Sequence, residues 1–303
     1  MYAIVVLEFQ YHPRNLLVKY RIDDTKCMKI TLVQSRGLVN DPTVNFFKAR
    51  MRINNVDADM FILPEMFCSG YVSDENTMRI NDMDPKIVSK LSELSVNRGC
   101  AIICGCPRKE GDDIFDCALL INGKEITTYK KMILSDDGAF DETEVFKPGN
   151  QPMIIDHMGL NIGVSVGYDL LSPELYKYYA ENDVDLLICI AAFNEKQMDR
   201  FDKIVKSRAA ENCLPVILCN MVGPDCGQNL IGRSKFIGPD GSIIEGCTES
   251  SDVRVLNVDV EMLKESKRNR KVLPDLVFGE CIRVKSESGE GANPVAKCPI
   301  TGR

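Results

Sequence analysis

Short apolar runs alternate along this chain with segments whose apolar residues recur at helical spacing. From Met28 onward, the runs KITLVQ, MFILPE and AIICGCP have the length and the aliphatic content of buried strands. Asp41-Pro42 and Asp84-Pro85 precede the intervening segments, where aspartate serves as a helix cap and proline as the first helical residue. The pattern therefore predicts a strand, a helix, a strand, a helix and a strand in this order.

Each predicted helix carries an apolar stripe that should face the core. The stripes are Val44, Phe47 and Met51 in the first helix, and Ile87, Leu91 and Leu94 in the second. Gly99 should end the second helix, because glycine readily adopts the left-handed backbone of a helix C-cap. The runs DCALLI and EITTYKK then predict two further strands, which Asn122-Gly123 joins as a hairpin turn.

The second half of the chain repeats this order. Strands MIID and NIGVSVG precede a helix that begins at Ser172-Pro173, and strand DLLICIAA precedes a long helix that ends at Asn212. Strand PVILCNM, the hairpin SKFIGPDGSIIEG and strand VRVLNVDV follow. Two similar series of strands and helices predict an α/β fold in which two sheets pack face to face with helices outside. This is a four-layer α-β-β-α sandwich with two pseudo-repeated halves. A doubly wound sheet is the alternative, because strand–helix alternation alone does not separate the two.

The pattern divides the chain into three parts. Residues 28–272 hold the periodic strands and helices, and residues 273–303 form a tail that contains the polar stretch SESGEGANP. Residues 1–27 have no clear period, which predicts an N-terminal extension outside the fold; an extra edge strand through Ile4–Phe9 is an equal alternative. The N-terminal segment lacks the basic start and the small-residue cleavage site of a secretion signal.

Composition narrows the classes of function. The net charge of −7 and a pI near 5.1 give no support to binding of nucleic acid or of a membrane surface. No apolar run approaches the roughly 18 residues of a membrane span. The 13 cysteines are too few for a disulfide scaffold, and several lie in apolar runs as buried free thiols do, so we expect a cytoplasmic protein.

Reactive side chains stand at the ends of several predicted strands. Glu65 closes an otherwise apolar strand, where desolvation would raise the pKa of its carboxyl toward that of a general base; simple exposure to solvent is the alternative. Lys130 and Lys131 end another strand, and a period of two turns one of them inward. Strand NIGVSVG breaks at Gly167 before a helix, a geometry in which many hydrolases expose a nucleophile.

Together these segments resemble the nitrilase superfamily of carbon–nitrogen hydrolases, from about Met28 to about Val272. LPEMFCSGY resembles the glutamate motif of that family, YKKMIL its lysine motif, and ETEVFKPG the segment that carries a second glutamate. SRAAENCLPVILCNMVG and GRSKFIGPDGSII are similar to later structural motifs. The shared order and spacing of five motifs argue against chance, and the resemblance implies the four-layer sandwich.

The resemblance implies a role for each matched residue. Glu65 would be the general base, Lys131 the cation that stabilises an oxyanion, and Glu142 a positioning carboxylate. Three further residues would contact the substrate: Tyr71, Tyr168 and Asn194.

One departure from the family pattern bears on activity. The nucleophile motif is C-[YW]-D followed by a P-E helix start, whereas this chain has GYD followed by SPE, which puts Gly167 at the nucleophile position. Covalent catalysis in the family needs a thiolate, and glycine offers none. Glycine is nevertheless suited to a strained elbow, so the backbone can keep its shape. We expect the missing side chain to leave space beside Glu65 and Lys131.

Two main hypotheses of function follow. The first is a nitrilase-like protein without its nucleophile, which binds a small amide, a carboxylate or a partner subunit through Glu65, Lys131 and Glu142. The second is an active hydrolase of a linear amide that uses water activated by Glu65, or the thiol of Cys68. Ser165 is a poor replacement nucleophile, because it lies too far along its strand from residue 167. A third possibility is a structural subunit paired with an active relative.

The sequence predicts no cofactor and no metal. Cys104 and Cys106 form a C-x-C, but no second cysteine pair has zinc-site spacing, and only His12 and His157 could add imidazole ligands. Members of the family commonly associate, so a homodimer or higher homo-oligomer is expected by analogy.

Overall fold

The protein is described here by a computed structural model. It describes residues 5–8, 19–22, 27–39, 41–70, 83–136, 141–225 and 227–271, the first two ranges by backbone alone. The predicted tail, residues 273–303, lies outside these ranges, and the three predicted parts of the chain stay a prediction.

The elements follow one another in two similar series. The first series is β1 (Val5–Glu8), β2 (Lys19–Ile22), β3 (Cys27–Gln34), α1 (Pro42–Asn54), β4 (Met60–Ile62), α2 (Pro85–Arg98), β5 (Ala101–Glu110), β6 (Asp113–Asn122) and β7 (Glu125–Lys130). The second series is β8 (Met153–His157), β9 (Leu160–Val166), α3 (Pro173–Glu181), β10 (Leu186–Ala191), α4 (Glu195–Asn212), β11 (Val216–Asn220), β12 (Val222–Asp225), β13 (Gln228–Ile231), β14 (Lys235–Ile237), β15 (Ile243–Gly246), β16 (Asp252–Asp259) and α5 (Val260–Asn269). Short 3-10 helices cover Glu142–Glu144 and Gly167–Leu171.

Two six-stranded sheets carry the fold. The first sheet has the order β16-β3-β4-β5-β6-β7, and the second has the order β15-β14-β11-β10-β9-β8. In each sheet three parallel strands lie in the middle, β3-β4-β5 or β11-β10-β9, and antiparallel strands flank them. The prediction of two pseudo-repeated halves is confirmed, and the doubly wound sheet is excluded because such a fold has one sheet.

Apolar side chains alternate between the two faces of each sheet, as strand geometry requires. The inner faces pack on each other: Ile30, Ile62 and Ile103 of the first sheet share one core with Val164 and Ile188 of the second. The outer face of the first sheet packs on α1 and α2, and that of the second sheet packs on α3 and α4. These layers are the predicted α-β-β-α sandwich.

The predicted core face of α1 is wrong. Phe47 is 48% exposed and Met51 67%, whereas Phe46, Ala49 and Ile53 are buried. A buried polar residue causes this difference. Asn45 is fully buried, and its side chain forms hydrogen bonds with the backbone of Leu38, before α1, and of Cys68, in the loop after Glu65. These hydrogen bonds turn the helix by about one residue, roughly 100°.

Two features of the fold were not predicted. β12 and β13 form a separate antiparallel hairpin, and α5 follows the last strand. A strand does form within Ile4–Phe9, as the alternative for residues 1–27 expected, and it pairs with β2 in a separate two-stranded sheet. In the part of the chain that is described, no helix combines the length and apolar character needed to cross a membrane.

Candidate functional site

Glu65 lies in a tight turn just after β4. The backbone N–H of Gly105 donates to the carbonyl of Pro64, which holds β5 against this turn. A Cβ at Gly105 would lie 2.5 Å from the Cα of Glu65, so only glycine permits this approach. Met66 has a left-handed backbone, φ 50°, which is uncommon for a residue with a side chain and is concentrated at functional turns.

Lys131 enters the site from the end of β7. As a period of two predicts, its neighbour Lys130 points outward to Glu110, while the side chain of Lys131 is only 1% exposed. Backbone hydrogen bonds fix the position of Lys131, whose N–H donates to the carbonyl of Asp116 while its own carbonyl accepts from Gly149.

Glu142 opens a 3-10 turn and uses both of its carboxylate oxygens. Oε2 accepts from the backbone N–H of Ser135 at 2.8 Å, and Oε1 accepts from the ammonium of Lys131 at 2.7 Å. The side chain of Glu142 is therefore fixed between a loop and the lysine.

The three predicted site residues meet in one buried cluster. Nζ of Lys131 lies 2.6 Å from Oε1 of Glu65, although 66 positions separate the two residues in sequence. A fourth residue that the sequence reasoning missed, Asp116 of β6, places Oδ2 3.6 Å from the same Nζ. All four side chains are buried. The sequence does contain an indication of Asp116, because it is a carboxylate within the mostly apolar strand sequence IFDCALLI. A carboxylate is costly to bury without a partner.

The electrostatics of the cluster keep the lysine charged. Burial alone would lower the pKa of Lys131, but the charges of Glu142, Glu65 and Asp116 outweigh it and raise that pKa well above its usual range. Burial raises the pKa of Glu142, with the charge of Lys131 acting in the opposite sense. Burial, and then the charge of Glu65, raise the pKa of Asp116 well above its usual range.

The ammonium of Lys131 also takes the place that a metal ion would occupy. Oxygens of Glu65, Asp116 and Glu142 lie within 4.8 Å of one another, close enough to share a cation. The lysine nitrogen already sits among them and bonds two of the three carboxylates directly. The donor set is thus filled by a side chain of the protein itself.

Asp169 ties the end of β9 to the lysine loop. Its carboxylate accepts from the backbone N–H groups of Val166, Met132 and Ile133 and from the hydroxyl of Tyr129, at 2.7–2.9 Å. Burial raises the pKa of Asp169, against the effect of these hydrogen bonds. The fourfold attachment brings residue 167 to the side chain of Lys131.

Gly167 stands at the elbow between β9 and its 3-10 turn with φ 47°, a left-handed backbone that favours glycine. A Cβ built on it would lie 2.9 Å from both carboxylate oxygens of Glu65 and 3.1 Å from Nζ of Lys131. The expectation of free space beside these two groups is therefore wrong. The carboxylate and the ammonium themselves pack against the glycine, because a protein interior is close-packed.

The residues predicted to contact substrate differ in where they lie and in which groups they bond. Tyr168 is buried at the site, with its ring 5.7 Å from Nζ of Lys131 and its hydroxyl accepting from Nε2 of Gln197. Asn194 uses its side-chain oxygen to cap α4 and its amide to bond Gln228, so its polar atoms serve the fold. Tyr71 lies outside the described residues.

The candidate replacement nucleophiles are engaged elsewhere. Cys68 packs in the core between α1, α2 and the first sheet, where a hydrogen bond with Cys104 and burial raise the pKa of its thiol well above the usual range. Ser165 is fully buried, and its hydroxyl bonds that of Tyr176 at 2.9 Å. Cys106, the second member of the C-x-C, belongs to the same core as Cys68, and burial likewise raises the pKa of its thiol.

A third thiol, which sequence reasoning did not single out, lies on the strand beside β9. Cys189 of β10 pairs with Ser165 in the sheet register, and burial raises the pKa of its thiol to about 12. A thiol with such a pKa is almost entirely protonated at neutral pH, so it is a weak nucleophile.

Comparison with known proteins agrees with this fold. The family model for carbon-nitrogen hydrolases matches residues 29–268, so the chain belongs to that family. A probable nitrilase of Schizosaccharomyces pombe is 29% identical over 224 residues, which cover 71% of this chain and 81% of the relative. An omega-amidase of Saccharomyces cerevisiae is 27% identical over 263 residues, which cover 80% and 90%.

The solved structures agree with this assignment. A variant of the amidase from Nesterenkonia sp. AN1, in complex with butyramide, superposes with a TM-score of 0.71. It is 24% identical, and the match covers 79% of this chain and 94% of the amidase. At that identity the likeness shows the nitrilase-superfamily fold alone.

Proposed function

We propose that this chain is a carbon-nitrogen hydrolase family member that has lost thiol-based hydrolysis and binds a small neutral amide at the Glu65–Lys131 pair. The observation that carries the proposal is Gly167: the position that faces both Glu65 and Lys131 has no side chain. In a variant of the Nesterenkonia amidase, the acetamide moiety of fluoroacetamide is added covalently at the active site cysteine. The chain keeps the partner groups of such a site without the thiol.

The charges of the cluster favour an amide over a carboxylate. One ammonium is surrounded by three carboxyl groups, so an anionic ligand would add a further negative charge where cations are already outnumbered. A neutral amide avoids this repulsion. Its carbonyl can accept from Lys131, and its N–H2 can donate to Glu65.

Binding requires a movement of Glu65. Its carboxylate oxygens now lie against Gly167, 2.9 Å from the position of a Cβ on that residue, so the site as it stands has no room for a ligand group beside the glycine. The carboxylate is at the end of a flexible side chain, so a rotation about its side-chain bonds opens a volume for a group the size of an amide. The proposed ligand therefore replaces the contact between Glu65 and the glycine.

The test compares two probes of nearly equal shape, butyramide and butyrate. Ammonia release from butyramide should stay at background, and thermal shift or calorimetry should show binding of butyramide but not of butyrate. Glu65→Gln and Lys131→Met should abolish that binding, whereas Lys130→Met, next in sequence but directed to solvent, should not. Equal binding of butyrate, or no binding of either probe, would contradict the proposal.

The alternative is an active hydrolase in which Glu65 activates a water molecule. The observation in its favour is the intact 2.6 Å contact between Glu65 and Lys131, since a base and an oxyanion partner are both retained. Amide hydrolysis at ordinary enzyme rates that Glu65→Gln abolishes would establish it. Cys68→Ala and Ser165→Ala would then show whether either side chain serves as the nucleophile.

A further inference from the structure

Asp116 differs from the other two acids of the cluster. It lies in β6 opposite Pro107 of β5, and it is 0% exposed. Glu65 and Glu142 each accept a short hydrogen bond from Lys131, whereas Asp116 stays at 3.6 Å from the ammonium. Within the described ranges, neither side-chain oxygen of Asp116 accepts a hydrogen bond from a neighbour.

An ionised carboxylate in that position would be costly. A buried charge needs hydrogen bonds and a close counterion, and here the ammonium of Lys131 already bonds two other carboxylates. A protonated carboxyl has an O–H to donate, and an oxygen of Glu65 and one of Glu142 lie within 4.8 Å of an oxygen of Asp116. The titratable groups that act on Asp116 are Glu65, Lys131 and Glu142, with the thiols of Cys106 and Cys117 beside it in the sheet.

We propose that Asp116 and Glu65 share one proton, and that Asp116 is a positioning residue of the site. Oxygens of the two carboxyl groups lie within 4.8 Å of each other, and two acids this close do not both ionise readily. Glu65 then has a donor on each side, Lys131 and protonated Asp116, which together hold its carboxylate against Gly167. Burial and the charge of Glu65 both raise the pKa of Asp116, in agreement with this arrangement.

The shared proton has a consequence for ligand choice. With one acid neutral, the cluster carries two negative charges and one positive charge. If that proton is lost, a third negative charge is added and the donor on one side of Glu65 disappears. Only this step rests on the proposed binding of an amide; the proton itself can be detected without a ligand.

The experiment measures the proton directly. Infrared difference spectra of wild type minus Asp116→Asn at pH 7 should contain the C=O band of a protonated carboxylic acid, because asparagine keeps the shape and a donor but has no acid proton. Asp185→Asn is the matched control, since Asp185 is also buried but accepts from Asn161 and pairs with Lys267. Its difference spectrum should contain carboxylate bands only.

Unfolding gives an independent readout. A folded-state pKa above the unfolded value means that folding takes up a proton, so stability falls as pH rises from the usual aspartate range toward the folded pKa. The Tm of Asp116→Asn minus that of wild type should thus grow between pH 4 and pH 8, by about 2 °C per pH unit while the proton is being lost. Asp185→Asn should lack this upward trend.

A wild type minus Asp116→Asn spectrum without the acid C=O band, or a Tm difference that does not change with pH, would overturn the shared proton. The amide-binding proposal would then be tested separately by butyramide. Binding of butyramide without the acid band refutes only the role of Asp116, and the acid band without binding refutes only the ligand.

Discussion

Replacing Lys131 by Met removes the ammonium from a cluster of three buried carboxyl groups while nearly keeping the volume of the side chain. Glu65 and Glu142 lose hydrogen bonds of 2.6 and 2.7 Å, and the ammonium that lies 3.6 Å from Asp116 is removed as well. Removing one partner of a buried ion pair typically costs about 3–5 kcal/mol, because the remaining charge is uncompensated. We expect a loss in this range in the free energy of unfolding at pH 7.

The pH dependence of that loss follows from the carboxyl groups left behind. Without the ammonium, a carboxyl group avoids an uncompensated charge by binding a proton. For a carboxyl of ordinary pKa, the free energy of protonation is about 3.7 kcal/mol at pH 7 and about 1 kcal/mol at pH 5. The destabilisation by Lys131→Met should therefore shrink toward pH 5. A loss that stays constant or grows between pH 7 and pH 5 would contradict an electrostatic origin.

The control for this experiment is the neighbouring residue. Lys130 forms an ion pair of 2.6 Å with Glu110, but both side chains are partly exposed, so Lys130→Met should cost about 0–1 kcal/mol. Urea unfolding followed by circular dichroism gives both values. Equal losses for the two variants would refute the conclusion that Lys131 is the central cation of a buried site.

The remaining predictions concern the elbow, its support and the assembly. Gly167→Ala should lower the melting temperature of the protein more than Gly111→Ala. Both glycines have left-handed backbones, which cost roughly 1–2 kcal/mol with alanine, but of the two new Cβ atoms only the one at residue 167 meets Glu65. Equal melting temperatures would contradict this contact. Asp169→Asn should cost about 2–4 kcal/mol in urea unfolding, because an amide cannot accept all four hydrogen bonds. Sedimentation should show a homodimer or higher homo-oligomer, and a monomer at all concentrations would contradict the analogy with the family.

The helix starts were predictable because their causes are local. Asp41, Asp84 and Ser172 each accept from an N–H in the first turn of the helix that follows, as their position before proline indicated. The face of α1 was not predictable in the same way. It depends on Asn45, whose amide donates to the carbonyl of Cys68, 23 positions away. The hydrogen bonds of this polar residue to a distant partner, and not the apolar stripe, therefore determine which face of α1 packs on the core.

The site was only partly predictable for a similar reason. Glu65 and Lys131 came from motif similarity, since neither a strand-end glutamate nor a lysine pair is unusual by itself. Asp116 belonged to no recognised motif, and its importance arises from neighbours that the sheet brings to it. Whether a buried acid is functional depends on its counterions, and those are set by tertiary structure.

Gly167 shows how closely neighbouring groups pack against a residue without a side chain. The sequence indicates that residue 167 has no side chain, but it does not show which groups lie against it. In a close-packed interior neighbouring groups fill such a volume, and here they are the carboxylate of Glu65 and the ammonium of Lys131. A cysteine introduced at residue 167 would have to displace both groups, on a left-handed backbone that disfavours any Cβ. A single substitution at Gly167 is therefore expected to perturb the cluster of Glu65 and Lys131 before it places a usable thiol beside them.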